Sequence, residues 1–134
     1  MNNAPFTLAI NVSDPAASKR IPLLRVPDDH NYTIEKCYVA PDTAQAAAAG
    51  TYWEISLENG GAAGTAQTVI SGTAGGTVGW AANTPQEVTV TAGSGKLTAG
   101  QWLNASYAET GAPAPGRVTI NLEVRDGIGS KANA

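Results

Sequence analysis

The one histidine of the chain, His30, is where nucleophilic chemistry would have to start. A Ser-His-Asp or Cys-His device needs an imidazole to take the nucleophile's proton, and Asp28 and Asp29 stand directly before it. Turns favour aspartate on their own account, so Asp28-Asp29-His30-Asn31 reads as a solvated turn. A structural zinc site needs about four Cys, His or carboxylate ligands, which the single Cys37 and single His30 do not supply. Oxygen ligands for calcium exist at Asp14, Asp28, Asp29, Asp42 and Asp126, but at no EF-hand spacing. A glycosidase needs two carboxylates across a sugar-sized cleft. Glu54 and Glu58 are read instead as solvated charge on a strand's polar face. The Gly-rich segment 71–79 lacks the Lys-Ser/Thr ending of a phosphate-binding loop. The chain is therefore expected to be no enzyme and to carry no cofactor or metal.

The aromatic residues say more. Trp53 and Tyr107 fall on the apolar side of alternating segments and are expected in a core. Trp102 falls opposite Leu103, Ala105 and Tyr107, and Trp80 lies among glycines where no periodicity buries it. An exposed indole can stack on a sugar or anchor an interface, and it can equally cap a sandwich end under a neighbouring loop. Trp80 and Trp102 are the candidate interface or ligand contacts.

The elements that would position these residues are strands. In 117–125, Val118, Ile120, Leu122 and Val124 alternate with Arg117, Thr119, Asn121, Glu123 and Arg125, giving one dry and one wet face. Phe6, Leu8, Ile10 and Val12 repeat the pattern, ending at a Ser13-Asp14-Pro15 turn. Pro22 supplies no ladder N–H, so the strand through 21–27 belongs at an edge or carries an irregularity. A strand with blurred alternation follows over 32–39. Segment 41–50 is the one helical candidate, with Asp42 as cap, Gln45 three residues on and Gly50 as terminator; an Ala-rich ordered loop is the other reading. Trp53, Ile55 and Leu57 alternate up to an Asn59-Gly60 turn. Segments 60–67 and 71–79 read as long surface loops. A short strand follows at 68–70, and further strands at 87–91 and 101–110. About eight strands between turn signals make an all-β, single antiparallel β-sandwich with at most one short helix. One domain spans 1–134, with a flexible start at 1–5 and a flexible tail at 128–134.

Size and charge agree with one domain. A chain of 134 residues buries roughly two thirds of its unfolded surface. Charged residues are 14% against an ordinary ~25%, which suggests that a partner covers part of the surface. The eight Lys and Arg are scattered, so neither a nucleic acid nor a polybasic membrane contact is expected. The apolar runs are too short to cross a bilayer. A lone Cys37 and a start without signal-peptide character point to synthesis in a reducing cytoplasm.

The run VPDDHNYTIEKCYV, an Ala-rich connection, YWEISLENGG and then LTAGQWLNASYAETGAPAPGRVTINLEVRDG together resemble the small jelly-roll proteins of tailed bacteriophages that decorate or cement the capsid, or form the base of head fibres. The likeness covers about residues 20–127. It rests on strand order, on Leu97, Gly100 and Leu103 spaced L-x-x-G-x-x-L, and on a hairpin at Thr110-Gly111. It implies a jelly-roll sandwich, a homotrimer, the major capsid protein as partner, and a place on the outer capsid surface of a virion made in a bacterial host's cytoplasm. Phage fibre and receptor-binding heads use similar sandwiches, so a carbohydrate- or receptor-binding module is the alternative. No site residue is carried over from the resemblance.

Overall fold

The computed structural model describes residues 5–13, 15 and 17–127. The alternation over 117–125 does what its spacing predicts. Val118, Ile120, Leu122 and Val124 are buried along strand β10, Arg117–Asp126, and their neighbours lie on the other side of the pleat. Nine further strands surround it: β1 (Pro5–Ser13), β2 (Lys19–Arg25), β3 (Tyr32–Pro41), β4 (Tyr52–Gly61), β5 (Thr68–Val69), β6 (Ala74–Gly75), β7 (Gln86–Glu87), β8 (Lys96–Leu97) and β9 (Trp102–Thr110). All pairings are antiparallel. The structure is an all-β sandwich of two sheets.

One sheet runs β1-β10-β3, with the two-residue strands β7 and β8 both on the far side of β3. The other runs β2-β9-β4, with β5 and β6 on the far side of β4. The pairing is nested: first strand with last, second with next to last, and β3 and β4 with the short strands between them. Successive long strands therefore alternate between sheets, apart from β4 and β9, which are neighbours in the same sheet. Segment 86–91 makes the same change of sheet within a few residues, since β7 pairs with β3 while Val90 bridges to Ser71.

The core lies between the two dry faces. Ile34, Cys37 and Val39 of β3 and the β10 set meet Trp53, Ile55 and Leu57 of β4 and Leu103, Ala105 and Tyr107 of β9. Leu8, Ile10 and Val12 of β1 pack at its margin and stay half-buried. Burial pushes the Cys37 thiol up to about 12, because a thiolate loses its hydration there. The unfolded thiol ionises near 9, so this burial stabilises the fold fully below pH 9 and progressively less as pH rises toward 12. Only the thiolate reacts. At a pH of about 8, where a minor fraction of an unfolded thiol is already thiolate, a thiol-alkylating reagent is expected to leave Cys37 unmodified in native protein and to label it completely in denaturant, as read by intact mass. Rapid native labelling would place the thiol outside the core.

Several sequence expectations need correction. Of the two readings of segment 41–50 the helix fails and the ordered loop holds beyond Pro41, the last residue of β3; the described residues contain one 3₁₀ turn, Gly76–Val78, and no α-helix. Asp42 does not cap; its Oδ1 accepts the Arg117 N–H at 3.0 Å and the Thr43 hydroxyl at 3.1 Å. Gln45 pairs with Trp80 through two backbone bonds, 2.8 and 2.9 Å. Those tertiary bonds replace the helical ones that a short Ala run cannot sustain alone. Asn59-Gly60 is no hairpin turn: β4 continues to Gly61 through a register shift, and the Asn59 Oδ1 accepts the Gly61 N–H at 2.9 Å. Thr110-Gly111 is no hairpin either. β9 and β10 lie in different sheets, and Gly111, at φ +71°, turns the chain across the end of the sandwich. Segment 71–79 is no free loop, because β6 pairs with β4 there. Pro22 behaves as expected, at an edge strand with a register shift between Pro22 and Leu24. The expected start begins in strand as early as Pro5. Residues 1–4, Asp14 with its turn, and the tail at 128–134 lie outside the described residues.

Candidate binding surface

Trp80 is not on the surface. Only 4% of it is exposed, its ring stacks on Trp53 with centroids 4.1 Å apart and planes 7° from parallel, and its Nε1 donates to the Trp53 carbonyl at 3.0 Å. Tyr107 closes the cluster at 5.7 Å from Trp53. The glycines around Trp80 suggest a loop because their composition carries no period. Here they serve sterics, since a Cβ on Gly75 would overlap Nε1, Cε2 and Cζ2 of the indole. The Gln86 side chain straps the turn, accepting from the Gly75 N–H at 3.1 Å and donating to the Gly79 carbonyl at 2.7 Å. Trp80 is a core residue and offers no face to a ligand.

Trp102 is half-buried on the outer face of the β2-β9-β4 sheet. The 61–66 loop folds back over this face. Asn104 Nδ2 donates to the Gly64 carbonyl at 2.9 Å, and Gly64, at φ +77°, lies so close to the indole that an added Cβ would stand 3.3 Å from Trp102 Cδ1. Asn104 Oδ1 is buried without a hydrogen-bond partner. Beside it Glu58, 5% exposed, accepts from Arg20 Nε at 2.8 Å across from β2. Glu58 is thus not the solvated charge that its outward register suggests. The fold-back of the loop and the Arg20 side chain cover it, which no spacing along β4 announces. Glu54, four residues away, has no such cover and stays half-exposed.

His30 finds its partner far along the chain. Its Nδ1 lies 2.9 Å from Asp126 Oδ2, 96 residues away, while Asp28 pairs with Arg25 at 3.3 Å. Tyr32 stands beside the pair, its ring edge-on to His30 and to Phe6. Burial first, and the Asp126 carboxylate second, push the Tyr32 phenol above its usual range. Nothing in the sequence joins His30 to Asp126, because strand register alone brings β10's end to the loop before β3. Among the described residues His30 bonds through its ring to Asp126 and to no serine or cysteine; Cys37, buried in the core, is no nucleophile for it. The carboxylates weighed for calcium disperse: Asp42 faces Arg117, Asp126 faces His30 and Asp28 faces Arg25. Among the described residues no three His, Cys, Asp or Glu side chains gather to hold a metal. No helix among them is long and apolar enough to cross a membrane.

Two neighbouring depressions line one end of the sandwich. An open groove of about 550 Å³ is lined by Ser13, Asp42, Thr43, Ala114, Gly116 and Arg117. A second of about 350 Å³ shares Asp42 and Arg117 and adds Asn11, Asn83 and Thr119. Both are open and of mixed polarity, unlike the enclosed apolar pockets that hold small molecules. Compared with known proteins, the chain matches no family model and no curated sequence.

Proposed function

We propose that the chain is a structural virion protein, a decoration or cement protein that binds the outer surface of a bacteriophage head as a homotrimer and acts without catalysis. The observation that carries this reading is the nested pairing. A long antiparallel ribbon, folded so that β1 meets β10, β2 meets β9 and the inner strands meet the short ones between them, is in keeping with the wrapping of a jelly roll, the fold class of the phage proteins that the sequence resembles. The low charge of the surface supports the same reading, since a symmetric oligomer on a shell keeps such surfaces covered. Of the two indoles that would serve a glycan-binding module, only Trp102 reaches the outside.

The mechanism needs shape and repetition. A protein that bridges neighbouring shell subunits binds only the assembled lattice, so its binding free energy is added to the assembled side of the equilibrium. Many modest contacts repeated over a symmetric shell then resist rupture. The test uses the purified chain and heads of the parent phage stripped of it. Saturable binding and a higher shell melting temperature are expected. Heads that neither bind the chain nor melt later would overturn the reading, and glycan binding abolished by Trp102→Ala would replace it.

A further inference from the structure

We infer that the free edge of β1 pairs with the same edge of a second copy, antiparallel about a two-fold axis at Ala9. The inference goes beyond the proposed function, because a two-fold contact is separate from a three-fold ring and does not close one.

The four sheet margins differ in kind. β2 carries Lys19, Arg20, Arg25 and Pro22 with a register shift, which are the devices that keep an edge from adding another strand. The margins at β5 and β6, and at β7 and β8, are two-residue strands, too short to template one. β1 has neither charge nor register shift, and its one proline, Pro5, stands at the first position of the strand. Its nine residues, PFTLAINVS, hold no charge. They pair with β10 in unbroken register from Pro5–Arg125 to Ser13–Arg117. Its outer edge meets no other strand among the described residues.

The side chains identify the occupant. Residues opposite one another in an antiparallel pair share a face, so a two-fold partner must place one residue opposite its own copy. Only the register centred on Ala9 pairs the whole strand. It sets Phe6 against Val12, Leu8 against Ile10 and Thr7 against Asn11 of the partner, apolar on apolar and polar on polar, with the small Ala9 at the axis. A second observation points the same way. Phe6 is 37% exposed, and Leu8, Ile10 and Val12 are only half-buried, so the dry face runs out at this margin and a continued sheet would cover it.

The test is charge at the axis. Ala9 is exposed and faces away from the core, so Ala9→Lys and Ala9→Glu should leave the melting temperature of the protomer nearly unchanged. Like charges directly opposite oppose strand pairing, so each variant alone is expected to dissociate at concentrations about fivefold or more above those for the native chain. An equimolar mixture of the two variants should reassociate, because the ammonium introduced in one chain then meets the carboxylate introduced in the other. The readout is solution mass across a dilution series of the full chain. A native mass of two or six chains that halves in each variant and returns on mixing supports the inference. A native mass of one or three chains, or an even mass indifferent to residue 9, overturns it, and a trimer indifferent to residue 9 would leave the cement reading standing.

Discussion

Trp80→Ala is expected to lower the melting temperature by about 10–15 °C. Truncating a buried Trp or Phe costs about 3–5 kcal/mol, and a domain of this size shifts by roughly 3 °C per kcal/mol. The value belongs at the upper end because three losses coincide. The stack on Trp53 goes, the Trp53 carbonyl loses its indole donor, and the cavity is walled by a backbone bridge to Gln45 that holds it open. Trp80→Phe should cost clearly less, since it keeps ring packing and surrenders the hydrogen bond, about 1 kcal/mol plus the reduced volume. Thermal melting followed by circular dichroism separates them. An alanine variant melting within about 2 °C of the native chain, under 1 kcal/mol at this size, would remove Trp80 from the core.

Gly75→Ala is the second large effect, and its origin can be checked by combination. Gly75 sits at φ +85° and ψ −130°, a region that side-chain-bearing residues avoid at a cost of about 1–3 kcal/mol. Its added Cβ would also overlap the Trp80 indole, a rigid ring held by its stack, so the neighbour cannot swing aside. The two penalties together should reach about 3 kcal/mol or more. In the double variant Gly75→Ala/Trp80→Ala the overlap vanishes while the backbone strain stays. The double variant should therefore be more stable than the sum of the singles by about 1–3 kcal/mol. Strict additivity would show that the conformation at Gly75, and not contact with the indole, sets its cost.

These residues also mark how far a single sequence can be read. The strand content and the dry faces were legible because a pleat has a period of two and β10, β4 and β9 keep it over most of their length. Pro22 was legible because a missing N–H has one structural consequence. Trp80 was not, because its burial depends on neighbours with no side chains, and glycine leaves no periodic trace. Glu58 lies on the outward register of β4, and only the folded-back 61–66 loop and Arg20 on another strand take it out of water. Segment 41–50 carried good helical signals, yet local propensity over so few residues is weak against backbone bonds to Trp80 and Arg117. Of the two proposed contacts, Trp102 alone lies at the surface, and what distinguishes them is loop geometry.

The nested order also governs how the molecule is made. β10 lies between β1 and β3, so the middle of one layer is the last of the described strands to leave the ribosome. Until residue 126 emerges, β1 and β3 have no common neighbour, and their apolar sides wait in solvent beside a β4-β9 layer that is already able to form. Pairing Pro5 with Arg125 closes a loop of nearly the whole chain, the kind of long-range contact that slows folding. Synthesis that stops short of β10 therefore yields no smaller version of this protein. It leaves a sticky half-sandwich, and quality control in the producing cell has to deal with it.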